Sequence, residues 1–318
     1  MRLRFVHVAA AAIGPYVPAL RRLEQAITYP ISDGANGADG ADETDRFFID
    51  HGADYHPFFS RLGEAHFVLA LDEERSAGRP EEQVIGALAG VLRRAEHSGR
   101  SIPSVYLCDL KLHADYRGQD VVPRLLRFAL GLVRQPRFQR WRLAYGAAMR
   151  GRRGDVMRSA RGLSLLRLGS TLGQLTLYFV PPERLAALQP RTAPTPPDAA
   201  YGLDLSPEVA ERLVPPGTES TAGRKDLRLV STGEPWPLVH LPRSIASPGY
   251  AEYLVACGRA LAPQGGLACF AIDERLTDWN EWLRRAGLSP GALCTVYGLR
   301  LVPSLYSARW VHLATSEI

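Results

Sequence analysis

Between Tyr106 and Asp120 the chain passes from an apolar strand through the turn Arg117-Gly118-Gln119-Asp120 into an apolar helical stretch over 121–133. A strand that turns directly into a helix leaves several backbone N–H groups pointing one way. The helix dipole adds partial positive charge there, so the junction can cradle a pyrophosphate without a dedicated side chain. Asp120 is the discordant residue, because a carboxylate beside a pyrophosphate repels it. Either Asp120 points away from the anion or the anion is held differently. His113, just before the turn, is of a type that more often orders such a loop than does chemistry.

The elements that position this turn can be read from periodicity. Residues 2–8 alternate like a strand, and Ile13, Val17, Leu20, Leu23 and Ile27 share one helical face, with Pro15 and Pro18 early enough to be tolerated. A polar, glycine-rich loop over 32–43 and a helical stretch over 45–62 follow, then strands at 66–71 and 84–92. Beyond the turn, the pattern predicts a strand at 141–147, a helix over 155–166 and a strand at 174–180.

The strand, the Arg-Gly turn and this order of elements together resemble the GCN5-related N-acyltransferases, whose acyl-CoA motif runs from a Leu-x-Val strand into Arg-Gly-x-Gly-x-Gly or Ala. The strand is particularly close to that of polyamine acetyltransferases. Asp120 and Val122 stand where the family has its second and third motif glycines, which allow the backbone to approach the cofactor closely. The resemblance implies a mixed central sheet flanked by helices, an α/β (α+β) fold, with acetyl-CoA or another acyl-CoA as substrate. It implies that Leu110 and Leu112 pair through their main chain with the pantetheine arm, and that Arg117, Gly118, Gln119, Asp120, Val121 and Val122 form the phosphate turn.

The same resemblance frames the chemistry. An acceptor amine attacks the thioester directly and must lose a proton to a base or a water chain. Where polyamine acetyltransferases place a glutamate, this chain has Cys108. Asp109 is the nearest remaining carboxylate, but strand alternation turns it away from Cys108 unless a bulge intervenes. Cys108 could carry an acyl group only as a stabilised thiolate. The family's leaving-group tyrosine is not at its expected place, where Leu165 stands, so Tyr145 is a substitute by type. Tyr55 and His56 fall where relatives contact the acceptor.

Composition bounds these readings. With 318 residues, 46% apolar and 22% charged, the chain is long enough for two cores and ordinary for a globular protein. Residues 1–13 have the charged start and apolar run of a secretory signal, but His7 interrupts the run and Gly14-Pro15 closes it early. No stretch approaches the ~20 apolar residues of a membrane span, and the reading is cytoplasmic. Four dispersed cysteines suit reduced thiols better than a disulfide or metal framework, so no metal is expected. The net charge of +5 concentrates among arginines between 134 and 167, which could face the nucleotide of coenzyme A, an acidic carrier protein or a nucleic acid. Few aromatics interleave with them, which speaks against a single-strand platform.

Pro181-Pro182 and four prolines over 189–197 mark a linker. Residues 1–180 read as the acyltransferase domain, 181–200 as the linker, and 201–318 as a second, smaller α/β domain. Its order is strand, helix, strand, helix and a closing hairpin over 292–302 and 309–314. That order repeats the second half of the first domain, as in mycothiol synthase-like proteins that pair an active with a degenerate copy, though no Arg-Gly turn recurs. The expected function is acyl transfer from acyl-CoA to a small-molecule or peptide amine. The alternatives are a carrier-protein-dependent enzyme like the N-acyl amino acid synthases, or a binding module without turnover.

Overall fold

The computed structural model describes residues 2–31, 45–74, 84–132, 135–138, 140–151, 154–155, 170–209, 213–219 and 221–318. Strand β1 (Leu3–Ala9) leads through two short 3-10 turns to helix α1 (Val17–Gln25), whose inner face buries Leu20, Leu23 and also the charged Glu24. The first half continues with β2 (Tyr29–Pro30), β3 (Arg46–Asp50), α2 (Pro57–Leu62), β4 (Glu64–Asp72), β5 (Val84–His97), β6 (Arg100–Leu112), α3 (Val121–Leu132), β7 (Leu143–Gly151), β8 (Gly154–Asp155) and β9 (Ser170–Val180). The second half comprises α4 (Pro182–Ala186), β10 (Gly202–Asp204), β11 (Asp226–Leu229), β12 (Leu238–His240), α5 (Tyr250–Leu261), β13 (Leu267–Asp273), α6 (Thr277–Arg285), β14 (Ala292–Arg300) and β15 (Trp310–His312).

The main sheet runs β1-β4-β5-β6-β7-β14-β9-β13-β12, and its centre is built by exchange. Each half contains a parallel pair bridged by a helix, β6-α3-β7 and β12-α5-β13. Each then sends a later strand across: β14 inserts beside β7, and β9 lies beside β13, with β14 and β9 antiparallel to each other in the middle. The expected closing hairpin therefore does not form. Residues 292–300 enter the main sheet, while β15 pairs in parallel with β10. A local apolar pattern marks a strand but not which open edge will take it.

A second departure concerns 45–62, which reads as one helix and is instead β3 followed by the single helix α2. The Arg-Phe-Phe-Ile-Asp run of β3 pairs with β11, from Asp226↔Asp50 to Leu229↔Phe47, a partner some 180 residues away that local periodicity cannot announce. The predicted loop at 32–43 and helix at 155–166 fall outside the described residues, except Asp155, which belongs to β8.

Two apolar layers sandwich the first-half sheet. Along β4, Phe67, Leu69 and Leu71 face the layer of α1 and α2, whereas Val68 and Ala70 face that of α3 with Tyr116, Val121 and Leu125. Burial on both faces explains why this strand is continuously apolar rather than alternating. The second half has its own layer, in which α5 and α6 bring Leu254, Trp279, Trp282 and Leu283 against Phe270 and Ile272. Among the described residues no helix is long and apolar enough to cross a membrane.

Candidate active site at the strand splay

Strands β6 and β7 pair only over Ser104↔Leu143, Val105↔Ala144 and Tyr106↔Tyr145, then part. Gly146 sits at the fork, where a Cβ would come within 2.8 Å of the Leu107 carbonyl oxygen. Beyond this point β6 keeps β5 on one side, and among the described residues its other edge pairs with no strand. An unpaired edge is a template for another extended chain.

A bulge follows immediately. Ala89 lies opposite Cys108 and Ala87 opposite Lys111, so β6 carries one extra residue, and Asp109 takes the left-handed backbone, φ 55°. The parity of the strand changes there. Tyr106 and Cys108 belong to the α1/α2 layer, whereas Leu110 and Leu112 belong to the α3 layer. The bulge thus brings Asp109 and Lys111 onto the same face as Cys108.

On that face a closed polar network forms. Lys111 Nζ pairs with Asp109 Oδ1 and, at 2.9 Å, with Glu24 Oε1. Tyr55 donates its hydroxyl to Asp109 Oδ2, His51 Nδ1 pairs with Glu24 Oε1, and the His51 amide donates to Glu24 Oε2 at 3.3 Å. Tyr55 is itself left-handed, φ 63°, so two strained residues are tied by one side-chain hydrogen bond. Burial by itself would raise the Asp109 carboxyl, but Lys111 first and His51 next hold it below the usual carboxylate range. Burial would lower the Lys111 ammonium, and Asp109 and Glu24 raise it instead. Glu24, His51 and Asp109 offer donors within 4.8 Å of one another, a spacing a metal could use, but Lys111 already supplies the positive charge between the two carboxylates.

These facts place each candidate. Both oxygens of Asp109 are engaged and its carboxyl is weakly basic, so geometry casts it as the anchor of the bulge rather than as a base. Burial, followed by the Asp109 charge, pushes the Cys108 thiol up, away from the thiolate that covalent transfer needs. Tyr145 is buried, stacks on Tyr106 at 4.9 Å and donates to the Leu205 carbonyl, so its hydroxyl does not face the gap. Tyr55 is wholly buried inside the network. His56 is half-buried and, with Asp54, Ala10, Ala11, Gly14, Val17 and Pro18, lines a hollow of about 320 Å³ beside it.

At the turn, Gly118 and Asp120 both have left-handed backbones, φ 79° and 54°, and the Asp120 backbone carbonyl accepts from the Arg124 amide in the first turn of α3. Arg117, Gly118, Gln119 and Asp120 are exposed, Val121 is buried against α3's layer and Val122 is half-buried. Arg134, Arg152, Arg153, Arg158, Arg161 and Arg167 of the basic stretch lie outside the described residues, as does Leu165.

The second half packs against α2 on the α1/α2 side of the sheet. Arg61 of α2 donates from Nε to the Gly223 carbonyl at 2.8 Å, Lys225 lies 5.5 Å from the Phe58 ring centre, and its Nζ donates to the Ile318 carbonyl. Tyr106 donates to the Glu317 carbonyl, and the Glu317 carboxylate takes Arg93 Nη1 at 2.7 Å and Ser206 Oγ at 2.6 Å. Around this junction Arg61 Nη2, Arg93 Nε, Glu219 Oε1, Asp226 Oδ2, Ser316 Oγ and Glu317 Oε1 are buried and find no hydrogen-bond partner among the described residues. Each such atom costs about 1–3 kcal/mol. Burial lifts the Glu219 carboxyl to about 8; Asp226 adds to the rise, whereas Arg224, Lys225 and Arg61 oppose it. None of Glu24, His51, Arg61, Glu219 or Glu317 stands out in sequence; the available signal was a charged residue on an apolar helical face at Glu24.

No family model matches the chain, nor does any curated protein sequence. Among solved structures, Saccharomyces cerevisiae N-myristoyltransferase with bound myristoyl-CoA superposes with a TM-score of 0.51 at 9% identity, over 93% of this chain and 82% of that one. A tandem GNAT protein from the clavulanic acid biosynthesis pathway gives 0.49 at 13% identity, over 95% and 99%. A GCN5-related N-acetyltransferase from Kribbella flavida gives 0.43 at 13%, over 97% and 74%. The chain shares the fold of that N-myristoyltransferase, a large mixed sheet flanked by helices.

Proposed function

We propose that the chain is an N-acyltransferase that takes its acyl group from an acyl-CoA. The observation that carries this reading is the splay itself: an open β6 edge beginning at a left-handed bulge and ending in the turn that opens α3. The pantetheine arm would pair along Leu110 and Leu112. The pyrophosphate would lie on the N–H groups of residues 118–122 at the positive end of α3, with Arg117 beside it. The exposed Asp120 can leave its carboxylate in solvent, so it need not face the anion. The proteins that share the fold act as N-myristoyl and N-acetyl transferases, which supports the reaction class.

In this reading an amine nitrogen attacks the thioester carbonyl carbon, the C–S bond breaks, and the thiolate leaves as the free thiol of CoA after taking the proton lost from nitrogen. A backbone N–H at the bulge polarises the carbonyl, a contribution that positioning alone can make large because thioesters are reactive. The buried network holds that N–H in place, and Asp109 serves as a positioning residue. The acceptor approaches from the α1/α2 face with the half-buried His56 at its border, while Tyr55 lies behind it within the buried network. Such chemistry requires no membrane span and suits a cytoplasmic enzyme.

Thermal denaturation with acetyl-CoA, longer acyl-CoAs and free CoA tests this. A ligand at a hundred times its Kd adds about 2.7 kcal/mol of stability, a shift of several degrees. The shift should vanish in Arg117→Ala and grow in Asp120→Gly, which relieves a left-handed non-glycine residue and removes a carboxylate. No shift with any CoA species in the parent or in Asp120→Gly would refute the reading.

A further inference from the structure

At the end of the sheet opposite the phosphate turn, β6 and β7 begin, β5 and β14 finish, and β10 and β15 start. Main-chain and side-chain bonds knit these ends together. The Arg142 amide donates to the Pro103 carbonyl at 2.8 Å, and the Leu301 amide to the Arg142 carbonyl at 2.9 Å. The buried His97 bonds through one ring nitrogen to the Gly202 carbonyl at 2.7 Å and through the other to Ser307 Oγ at 3.0 Å. A single imidazole therefore spans from the neighbour of Tyr201 to the neighbour of Tyr306. Arg309 donates its amide to the Tyr201 carbonyl at 2.8 Å, and Ser98 Oγ donates to the Ala200 carbonyl at 2.6 Å.

On this braced end two aromatic rings stand in solvent. Tyr306 is 65% exposed and Tyr201 41%, beside Leu301 at 51%. Each ring carries a guanidinium: Arg300 lies 5.1 Å from the Tyr306 ring centre and Arg309 4.1 Å from that of Tyr201. Rings that remain this exposed with one face covered present the other to a further flat group. The exposed Arg94, Arg100 and Arg142 add three cations. Against these five stand Glu96 and Asp198, and the Asp198 carboxylate already accepts from the Ala200 amide.

We propose that this end of the sheet docks single-stranded nucleic acid, with bases stacked on the open faces of Tyr201 and Tyr306 and phosphates held by the surrounding arginines. The arginine-rich stretch that follows α3 in sequence lacks interleaved aromatics; folding brings them to its first described members from residues 201 and 306. An acidic peptide would meet the cations and leave both ring faces in water. A duplex would meet the cations too, but its bases stack on one another and hide their faces. A single strand answers both features, and it does so with little regard to sequence because every base has a π-face. The surface is separate from the acyl-transfer reading. Strand β6 carries the two at its opposite ends, about 40 Å apart over 13 residues at ~3.3 Å each.

Fluorescence anisotropy of the full-length protein tests this with labelled RNA and DNA single strands of about 12 nucleotides, the duplex of the same sequence, and a poly-glutamate peptide, all at about 50 mM salt. The single strands are expected to bind more tightly than the duplex or the peptide. Tyr306→Ala and Tyr201→Ala should each weaken single-strand binding about fivefold or more, while Tyr306→Phe, which keeps the ring, should bind like the parent. Arg142→Gln should reduce the slope of log K against log salt by about 0.7, the share of one phosphate contact. Melting temperatures of the variants at the parent's value separate lost stacking from lost fold. Absence of single-strand binding would overturn the inference, as would alanine variants that bind like the parent. A peptide bound as tightly as the strands would make the partner an acidic protein instead.

Discussion

Glu219→Gln gives a test of the junction that needs no substrate. Glu219 is 3% exposed, and its carboxyl is carried from an ordinary 4.5 to about 8. Between those pH values the unfolded chain has released this proton and the folded chain keeps it, so folding takes up a proton and stability falls as pH rises. The contribution is fully present below pH 4.5 and gone above about 8. At about 1.4 kcal/mol for each tenfold change, the full span is about 5 kcal/mol, and local relaxation makes about 2–4 the expected part. Glutamine imitates the protonated acid and does not titrate. Urea unfolding of parent and variant at about pH 5 and about pH 8.5 should therefore show the variant gaining on the parent by about 2–4 kcal/mol at the higher pH. Other titrating groups cancel in the difference. A difference that stays constant within about 0.5 kcal/mol across both pH values would refute the reasoning, because it would mean the carboxylate is solvated or paired in the folded state.

Three further outcomes follow from the geometry. Lys111→Met leaves Glu24 and Asp109 buried together without their shared cation and should cost about 3–5 kcal/mol in urea unfolding, part of it recovered by adding Glu24→Gln; a loss below about 1 kcal/mol would show that the network is not a closed ion cluster. Gly146→Ala drives a methyl against the Leu107 carbonyl at the fork and should destabilise by about 1–3 kcal/mol while weakening the acyl-CoA melting shift; an unchanged protein would mean that the strands part freely there. Fragments 1–200 and 201–318 expressed apart should each lack a cooperative unfolding transition, because β7 loses β14 and β13 loses β9; a cooperative transition in either would show that the exchange is dispensable.

Elements whose patterns are local were legible in the chain before folding. The β6 strand, the turn at Arg117–Asp120 and α3 follow from apolar runs and turn chemistry within fifteen residues. So does the order strand-helix-strand-helix-strand in the second half. Even the bulge could be posed as a question from alternation, since Asp109 and Cys108 cannot share a face without one. Which edges meet was settled by long-range pairing in the folded chain. It paired Arg46–Asp50 with β11, which turned an expected helix into a strand, and sent residues 292–300 into the first-half sheet instead of a hairpin. It also gathered Glu24, His51, Lys111, Arg61, Glu219 and Glu317, scattered over the whole chain, around one fork. It turned Tyr145 into the core and both oxygens of Asp109 toward partners. One cause underlies each case. Strand propensity and turn geometry act over a few bonds, whereas the choice of sheet edge and the protonation of a buried group depend on groups brought close only when the chain has folded.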